Sequence, residues 1–167
     1  MQSITNSTST ASALPLEGFT HRYRDALLAQ ARQQHYTHWV TLNTHRDCSL
    51  EIAMKYLKRW RVEVLRRLHG RKFYDLPHEQ VMHYFGCPEL SLAKHPHFHL
   101  ACFVPDGLHE KFEQVAALRW LDIIPSGTHY IRLIGATDED QKAVLNYATK
   151  RLNPLSPVPF VDSRVYQ

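Results

Sequence analysis

The spacing of apolar residues along the chain changes several times, and each change marks a different predicted element. Four runs rich in β-branched and aromatic residues predict strands at 38–44, 81–86, 97–104 and 129–134. Apolar residues recur at helical spacing over four other stretches and predict helices at 19–31, 50–69, 108–121 and 137–152. The helix over 50–69 is the most clearly delimited, because its basic residues lie largely opposite its apolar ones and Gly70 follows as a common helix stop.

The predicted order of elements after the opening helix is β-α-β-β-α-β-α. Helices that interleave with strands around a β-hairpin favour an α+β fold, a two-layer sandwich with a mainly antiparallel central sheet. We expect the helices to cover one face of this sheet and the other face to stay at least partly open. The chain has 167 residues, enough for one domain, which we place at 19–153.

The two ends of the chain differ from this domain in composition. Residues 1–18 are rich in serine and threonine and predict a disordered arm. Three prolines predict an extended tail over 154–167. No stretch approaches the ~18 consecutive apolar residues of a membrane span, so no membrane partner is expected. Three cysteines without a CxxC pair argue against a disulfide framework, and we expect an intracellular, cytoplasmic location.

Histidine is unusually frequent, at 12 residues, and two histidines define the most specific segment. Alternate side chains of a strand share a face, so His97 and His99 project together while Phe98 and Leu100 project into the core. Two adjacent imidazoles are within reach of one divalent ion. Glu89, at the end of the preceding strand, can fold its carboxylate back over the pair. Two histidines and one carboxylate with positions left open favour Mn²⁺ or Mg²⁺ over a closed zinc site.

A second group of polar residues lies on the last predicted helix. Tyr147 and Lys150 are three positions apart and share a helix face, so the phenol and the ammonium are neighbours. A nearby cation, or a metal ion that polarises the electrophile, favours attack by a phenol oxygen. Such a pair is common on helices, and its significance therefore depends on the histidine pair.

Taken in chain order, these motifs resemble those of the HUH endonucleases, in particular the single-tyrosine replication-initiator branch. The resemblance covers residues 37–152. It rests on the histidine pair separated by a hydrophobic residue, on the later Tyr147-x-x-Lys150, and on Glu89 as the acidic residue before the pair. A strand similar to the family's first motif, with its Thr-Leu pair, comes first in the chain: Trp39, Val40, Thr41, Leu42 and Asn43.

The resemblance implies an enzyme that nicks single-stranded or hairpin DNA at an origin and starts rolling-circle replication of a plasmid, phage or other mobile element. Tyr147 would attack the scissile phosphate and leave a 5′-phosphotyrosine link with a free 3′-hydroxyl. The ion held by His97, His99 and Glu89 would polarise the phosphate, and Lys150 would help to position it. The sequence has no Walker A motif, so a helicase would be a host or separately encoded partner.

Several alternatives stay open at this point. The small tyrosine transposases of insertion sequences share the fold and the motif order. A non-catalytic nucleic-acid-binding domain would use the histidines for stacking, an unrelated metallo-hydrolase would need the histidines alone, and surface histidines on a half-exposed strand need no function.

The net charge of +4 gives a mild indication of a polyanionic partner. Near the histidine pair, Lys94, His95 and Arg132 are predicted to contact the DNA backbone. Trp39 is predicted to stack on a base, with core packing as the alternative.

Overall fold

A computed structural model describes residues 16–150 and 161–162 of the chain. Most of the predicted arm, and the predicted tail apart from 161–162, lie outside the described residues. The helices are α1 (Leu16–Ala31), α2 (Leu50–His69), α3 (His109–Ile123) and α4 (Asp138–Ala148). The strands are β1 (His38–Asn43), β2 (His83–Leu90), β3 (Pro96–Phe103), β4 (Thr128–Leu133) and β5 (Val161–Asp162). Two short 3₁₀ turns, Phe73–Asp75 and His78–Gln80, lie between α2 and β2.

All five strands form one sheet in the order β4-β1-β3-β2-β5. Every pairing is antiparallel, and β1 and β3 form its centre. The two-residue strand β5 pairs with Phe85 and Gly86 of β2, in a segment for which the sequence predicted only an extended tail. The element order and the sheet confirm the predicted α+β sandwich with a mainly antiparallel sheet.

The crossover helices α2 and α3 cover one face of the sheet, as the sequence predicted. Alternate residues of β1 and β3 enter the main core on this face, among them Val40, Leu42, Phe98 and Leu100. The indole N–H of Trp60 in α2 donates a hydrogen bond to a backbone carbonyl of α3, at 2.9 Å. This bond satisfies the polar atom of a fully buried aromatic residue, and it fixes one helix against the other.

The opposite face of the sheet carries a second, smaller core. Helix α4 buries Val144, Leu145 and Ala148 against this face, next to Trp39 and Phe85 of the sheet. Helix α1 packs on α4 through its own buried apolar residues. Helices therefore lie on both faces, where the sequence prediction placed them on one. The second layer covers only part of its face and leaves strand residues accessible beside α4.

The observed boundaries of three elements show which local signals were decisive. Helix α2 spans the predicted residues, because the side chain of Ser49 caps its first turn and Gly70 ends it with a positive φ of 83°. Strand β2 continues to Leu90 instead of ending near Gly86. A Cβ atom at Gly86 would collide with the backbone carbonyl of His99, so this glycine permits close strand pairing. Pro88 is tolerated because it lies beyond the stretch covered by β5.

Helix α1 begins at Leu16, three residues before the predicted start. Pro15 directly precedes it, and proline favours the beginning of a helix. Among the described residues, no helix has both the length and the apolar character needed to cross a membrane.

Candidate metal and nucleophile site

The histidine pair lies on the face of the sheet that α4 only partly covers. Strand alternation sends Phe98 and Leu100 into the main core and leaves His97 and His99 side by side on the other face. Their ring centroids are 5.0 Å apart, with the planes nearly perpendicular. The structure therefore gives both rings the common direction that the sequence predicted.

Glu89 reaches the histidine pair from within β2. The longer β2 places Glu89 directly opposite His97 in the strand register, so its carboxylate needs no folded-back connection. The Oε2 atom of Glu89 lies 3.5 Å from Nε2 of His97. The register of the β-hairpin thus brings together the three residues predicted as metal ligands.

The geometry of these three residues fits a divalent ion. Glu89, His97 and His99 each offer one ligand atom, and these atoms all lie within 4.8 Å of one another. The Oε1 atom of Glu89 is buried and has no hydrogen-bond partner among the described residues. A buried carboxylate oxygen without a partner is costly, and a bound cation would satisfy it. The combination of two imidazoles and one carboxylate suits Mn²⁺ or Mg²⁺ in an open coordination sphere.

Both histidines are held in the neutral form that binds metal. Burial lowers the pKa of His99 to about 4, and the positive charges of His97 and Lys150 act in the same direction. Burial also lowers the pKa of His97, although the nearby Glu89 carboxylate opposes this shift. Near neutral pH, each ring therefore keeps a lone pair available for coordination.

Cys87 faces the same side of the sheet, directly opposite His99, but its chemistry excludes it from the site. Burial, and secondly the Glu89 carboxylate, raise the pKa of the Cys87 thiol to about 12. A thiol that stays protonated is neither a metal ligand nor a nucleophile. The ligand set is therefore two nitrogens and one carboxylate.

Helix α4 brings Tyr147 against the histidine pair. The ring centroid of Tyr147 lies 4.9 Å from that of His99 and 5.4 Å from that of Trp39, edge to face in both contacts. The ring of Trp39 in turn stacks on His99 at 5.4 Å. Tyr147 is nevertheless 45% exposed. Its ring is fixed by two aromatic neighbours while the residue remains accessible to a substrate.

Lys150 links the nucleophile candidate to the metal candidate. The sequence predicted a helix continuing past Lys150, but α4 ends at Ala148 because Thr149 turns its hydroxyl back to the Leu145 carbonyl, at 2.8 Å. The Nζ atom of Lys150 still lies 3.6 Å from the centroid of the Tyr147 ring. It also lies 3.4 Å from Oε2 of Glu89. One ammonium group therefore contacts both parts of the site.

Thr41 is a site residue to which the sequence gave no separate role. Its hydroxyl lies 3.0 Å from Nδ1 of His99, directly across the β1–β3 ladder. This contact leaves the other ring nitrogen of His99, Nε2, for a metal. The available signal was the motif strand itself, in which Trp39 and Thr41 alternate onto the same face.

A cavity of about 340 Å³ opens beside Tyr147 and includes two of the four predicted DNA contacts, Trp39 and Arg132. Trp39 is only 7% exposed and stacks on His99, which agrees with core packing, the alternative given for this residue. His95 lines a different hollow near the ends of β1 and β3. Lys94 lies in the exposed β2–β3 turn with a φ of 60°. The structure therefore brings Arg132, but not His95 or Lys94, to the edge of the Tyr147 cavity.

These features define a class of protein: an α+β sandwich with a metal-type ligand group and an accessible tyrosine on one sheet face. Residues 37–152 match the family model of the replication-associated proteins of the ORF2/gene 2 protein type. The match covers more than half of the chain, and the chain belongs to this family. The family connects the protein with DNA replication and implies that it binds DNA.

Comparison with individual proteins adds a likeness in shape. The crystal structure of the hypothetical protein ORF119 from Sulfolobus islandicus rod-shaped virus 1 is similar, at 20% sequence identity and a TM-score of 0.48. The similarity covers 79% of this chain and 96% of that one. No curated protein matches the chain in sequence.

Proposed function

We propose that this protein is an HUH-type endonuclease and strand-transferase of the single-tyrosine replication-initiator branch. The observation that carries the proposal is the meeting of Tyr147, Lys150 and the Glu89–His97–His99 group on one sheet face, with the Tyr147 ring 4.9 Å from His99. These groups come from β2, β3 and the C-terminal end of α4. Membership of a replication-associated family supports DNA as the substrate.

Tyr147 is the nucleophile in this proposal. Its phenol oxygen attacks the scissile phosphorus and forms a 5′-phosphotyrosine bond. The bond between phosphorus and the 3′ oxygen breaks, the phenol loses its proton, and the departing 3′ oxygen takes up one proton. One phosphodiester replaces another, so the step needs no external energy source. A later 3′-hydroxyl can reverse the step and rejoin the strands.

The remaining residues of the site prepare this attack. When bound, a divalent ion held by Glu89, His97 and His99 supplies a Lewis acid for the non-bridging phosphate oxygens. Trp39 and His99 hold the Tyr147 ring from two sides. The Lys150 ammonium lies beside the ring and stabilises negative charge on the attacking oxygen and on the phosphate.

The biological role in this proposal is initiation of rolling-circle replication of a plasmid, phage or other mobile element. The substrate is single-stranded or hairpin DNA at an origin, and a host or separately encoded helicase opens the duplex. A transposase of the same fold would use the same chemistry. The replication-associated family favours an origin over a transposon end.

The test uses a pool of random-sequence single-stranded oligonucleotides labelled at the 3′ end, incubated with protein and Mn²⁺ and separated under denaturing conditions. The 3′ label is required because the DNA on the 3′ side of the nick stays attached to the protein. We expect a labelled covalent band with the wild type that disappears with Tyr147→Phe and with EDTA. Tyr130→Phe is the matched control, since it removes another exposed phenol, 56% accessible, from the same sheet.

Two other results would contradict the proposal. DNA binding without any covalent band would identify a binding domain. Cleavage that survives Tyr147→Phe would identify a metallo-hydrolase that activates water. Because Phe retains the ring that packs on Trp39 and His99, loss of the band in Tyr147→Phe cannot be ascribed to a missing aromatic ring.

A further inference from the structure

The cavity beside Tyr147 has walls that the nicking reaction alone does not require. It lies between the sheet and α4, and its volume of about 340 Å³ is at the lower end of the range for small-ligand sites. No carboxylate lines it in the described part of the chain. The lining residues come from three neighbouring strands and the helix: Trp39, Thr41, His99, Arg132, Ala143, Val144 and Tyr147.

Arg132 is the single charged residue of this lining. It pairs with Trp39 across the β1–β4 ladder, and its side chain is exposed. Within the described residues, its guanidinium has neither an ion pair nor a hydrogen-bond partner. A planar guanidinium of this kind stacks on flat rings and donates hydrogen bonds to their edges.

The rest of the wall is apolar and aromatic. Ala143 and Val144 of α4 face the sheet, and the ring of Tyr147 closes the end nearest His99. A phosphate group is a poor occupant here, since an apolar wall offers it nothing in exchange for its water. A nucleobase has an apolar face for such a wall and polar edges for one guanidinium.

We propose that this cavity binds the base of a nucleotide next to the scissile phosphate, held between Arg132 and the apolar side of α4. The inference rests on the proposed function, because Tyr147 belongs both to the reaction site and to the cavity. A phosphate within reach of the Tyr147 oxygen places an adjacent base at the cavity mouth. The cavity thereby contributes to the choice of cleavage sequence.

Ala143 gives direct access to the question. It is small, exposed and on the helix surface, so Ala143→Trp fills the cavity without entering either core. Ala29→Trp is the matched control, the same change at an exposed alanine of α1 that does not line the cavity. Binding of a fluorescent random-sequence single strand is measured by anisotropy in EDTA, so that no cleavage intervenes. A strand of equal length made of abasic sites serves as the second probe.

We expect Ala143→Trp to weaken binding of the base-containing strand about tenfold, the loss typical of one stacked base, and Ala29→Trp to leave it unchanged. On the abasic strand, Ala143→Trp should bind like the wild type. Unchanged binding of the base-containing strand by Ala143→Trp would overturn the proposal. Equal weakening on both strands would also overturn it, because the cavity would then hold the DNA backbone. Neither result depends on a covalent Tyr147 adduct, whose absence would count against the proposed function instead.

Discussion

The hydroxyl of Thr41 lies 3.0 Å from Nδ1 of His99, across two paired strands. A histidine that binds metal through Nε2 commonly donates its other ring N–H to a neighbouring acceptor. In this arrangement, Nδ1–H of His99 donates to the Thr41 oxygen, which fixes both the tautomer and the orientation of the ring. The motif strand β1 therefore supports the site from beneath as well as forming the centre of the sheet.

Replacing Thr41 by valine should weaken Mn²⁺ binding about 10- to 100-fold, since such supporting partners typically contribute that much to metal affinity. Valine preserves shape and removes the acceptor, whereas Thr41→Ser retains the hydroxyl and should bind nearly as tightly as the wild type. Mn²⁺ affinity is measured by electron paramagnetic resonance of the free ion. The ¹⁵N shifts of His99 in the metal-free protein report the tautomer directly. Wild-type affinity in Thr41→Val would show that the contact has no supporting role.

Much of the fold was accessible from sequence because its signals are local. The ends of α2 follow from Ser49 and Gly70, and each acts within one helical turn. The shared direction of His97 and His99 follows from strand alternation alone. Glu89 was placed near the pair for a different reason than the structure gives, because the register of the hairpin and the passage of β2 through Pro88 depend on pairing with β3.

The meeting of Tyr147 with His99 is a tertiary fact that no spacing in the sequence contains. It depends on α4 crossing to the sheet face opposite α2 and α3, where it buries Val144 and Leu145. The position of Lys150 also depends on the turn at Thr149 that ends the helix. Local patterns located the candidate groups, and packing decided which of them touch.

Lys150 should affect metal binding and DNA nicking in opposite directions. Its ammonium lies 3.4 Å from Oε2 of Glu89 and competes with a divalent ion for that carboxylate. We expect Lys150→Met to raise Mn²⁺ affinity about fivefold, since a partly exposed ion pair contributes roughly 1 kcal/mol. The same variant should lower the rate of covalent adduct formation. Lys150→Arg, which keeps the charge, is the control, and a parallel loss of both properties would contradict this assignment.

Arg24 of α1 holds the end of α4 that carries the nucleophile. Its Nη2 donates to the Asn146 carbonyl at 3.3 Å and its Nε to the Thr149 hydroxyl at 3.5 Å. A cation at the C-terminal end of a helix also interacts favourably with the helix dipole. Arg24 lies before the segment 37–152 that matches the family model. Helix α1 is therefore an addition to that segment that supports Tyr147 indirectly.

We expect Arg24→Ala to lower the free energy of unfolding by about 1 kcal/mol and to slow adduct formation. Hydrogen exchange distinguishes a local role from a global one, because the amides of Thr149 and Lys150 should exchange faster while those of α2 stay unchanged. Arg32→Ala, which removes an exposed arginine beyond the end of α1, is the control. Uniformly faster exchange throughout the protein would mean that Arg24 only stabilises the fold.

His38 should make the stability of the protein depend on pH through a residue outside the site. It is fully buried on the α2–α3 side, with Nδ1 2.8 Å from the Thr37 hydroxyl and Nε2 3.4 Å from the partly exposed carboxylate of Glu113. Its ring contacts those of His109 and Phe112. Burial, and secondly the charge of His109, lower the pKa of His38 to about 4. The folded state therefore favours the neutral ring more than the unfolded chain does.

The sign of the effect follows from the proton balance. Between the unfolded pKa of about 6.5 and the folded pKa of about 4 the unfolded chain binds more protons, so stability is complete above that window and is lost as the pH falls through it. From about pH 7 to about pH 5, His38 should account for a loss on the order of 2 kcal/mol. Urea unfolding at both pH values measures this. The loss should shrink in His38→Phe, which packs without titrating, and persist in His35→Phe at an exposed position. An equal loss in His38→Phe and the wild type would assign the pH dependence to other groups, with His97 and His99 the first to examine because burial lowers their pKa values as well.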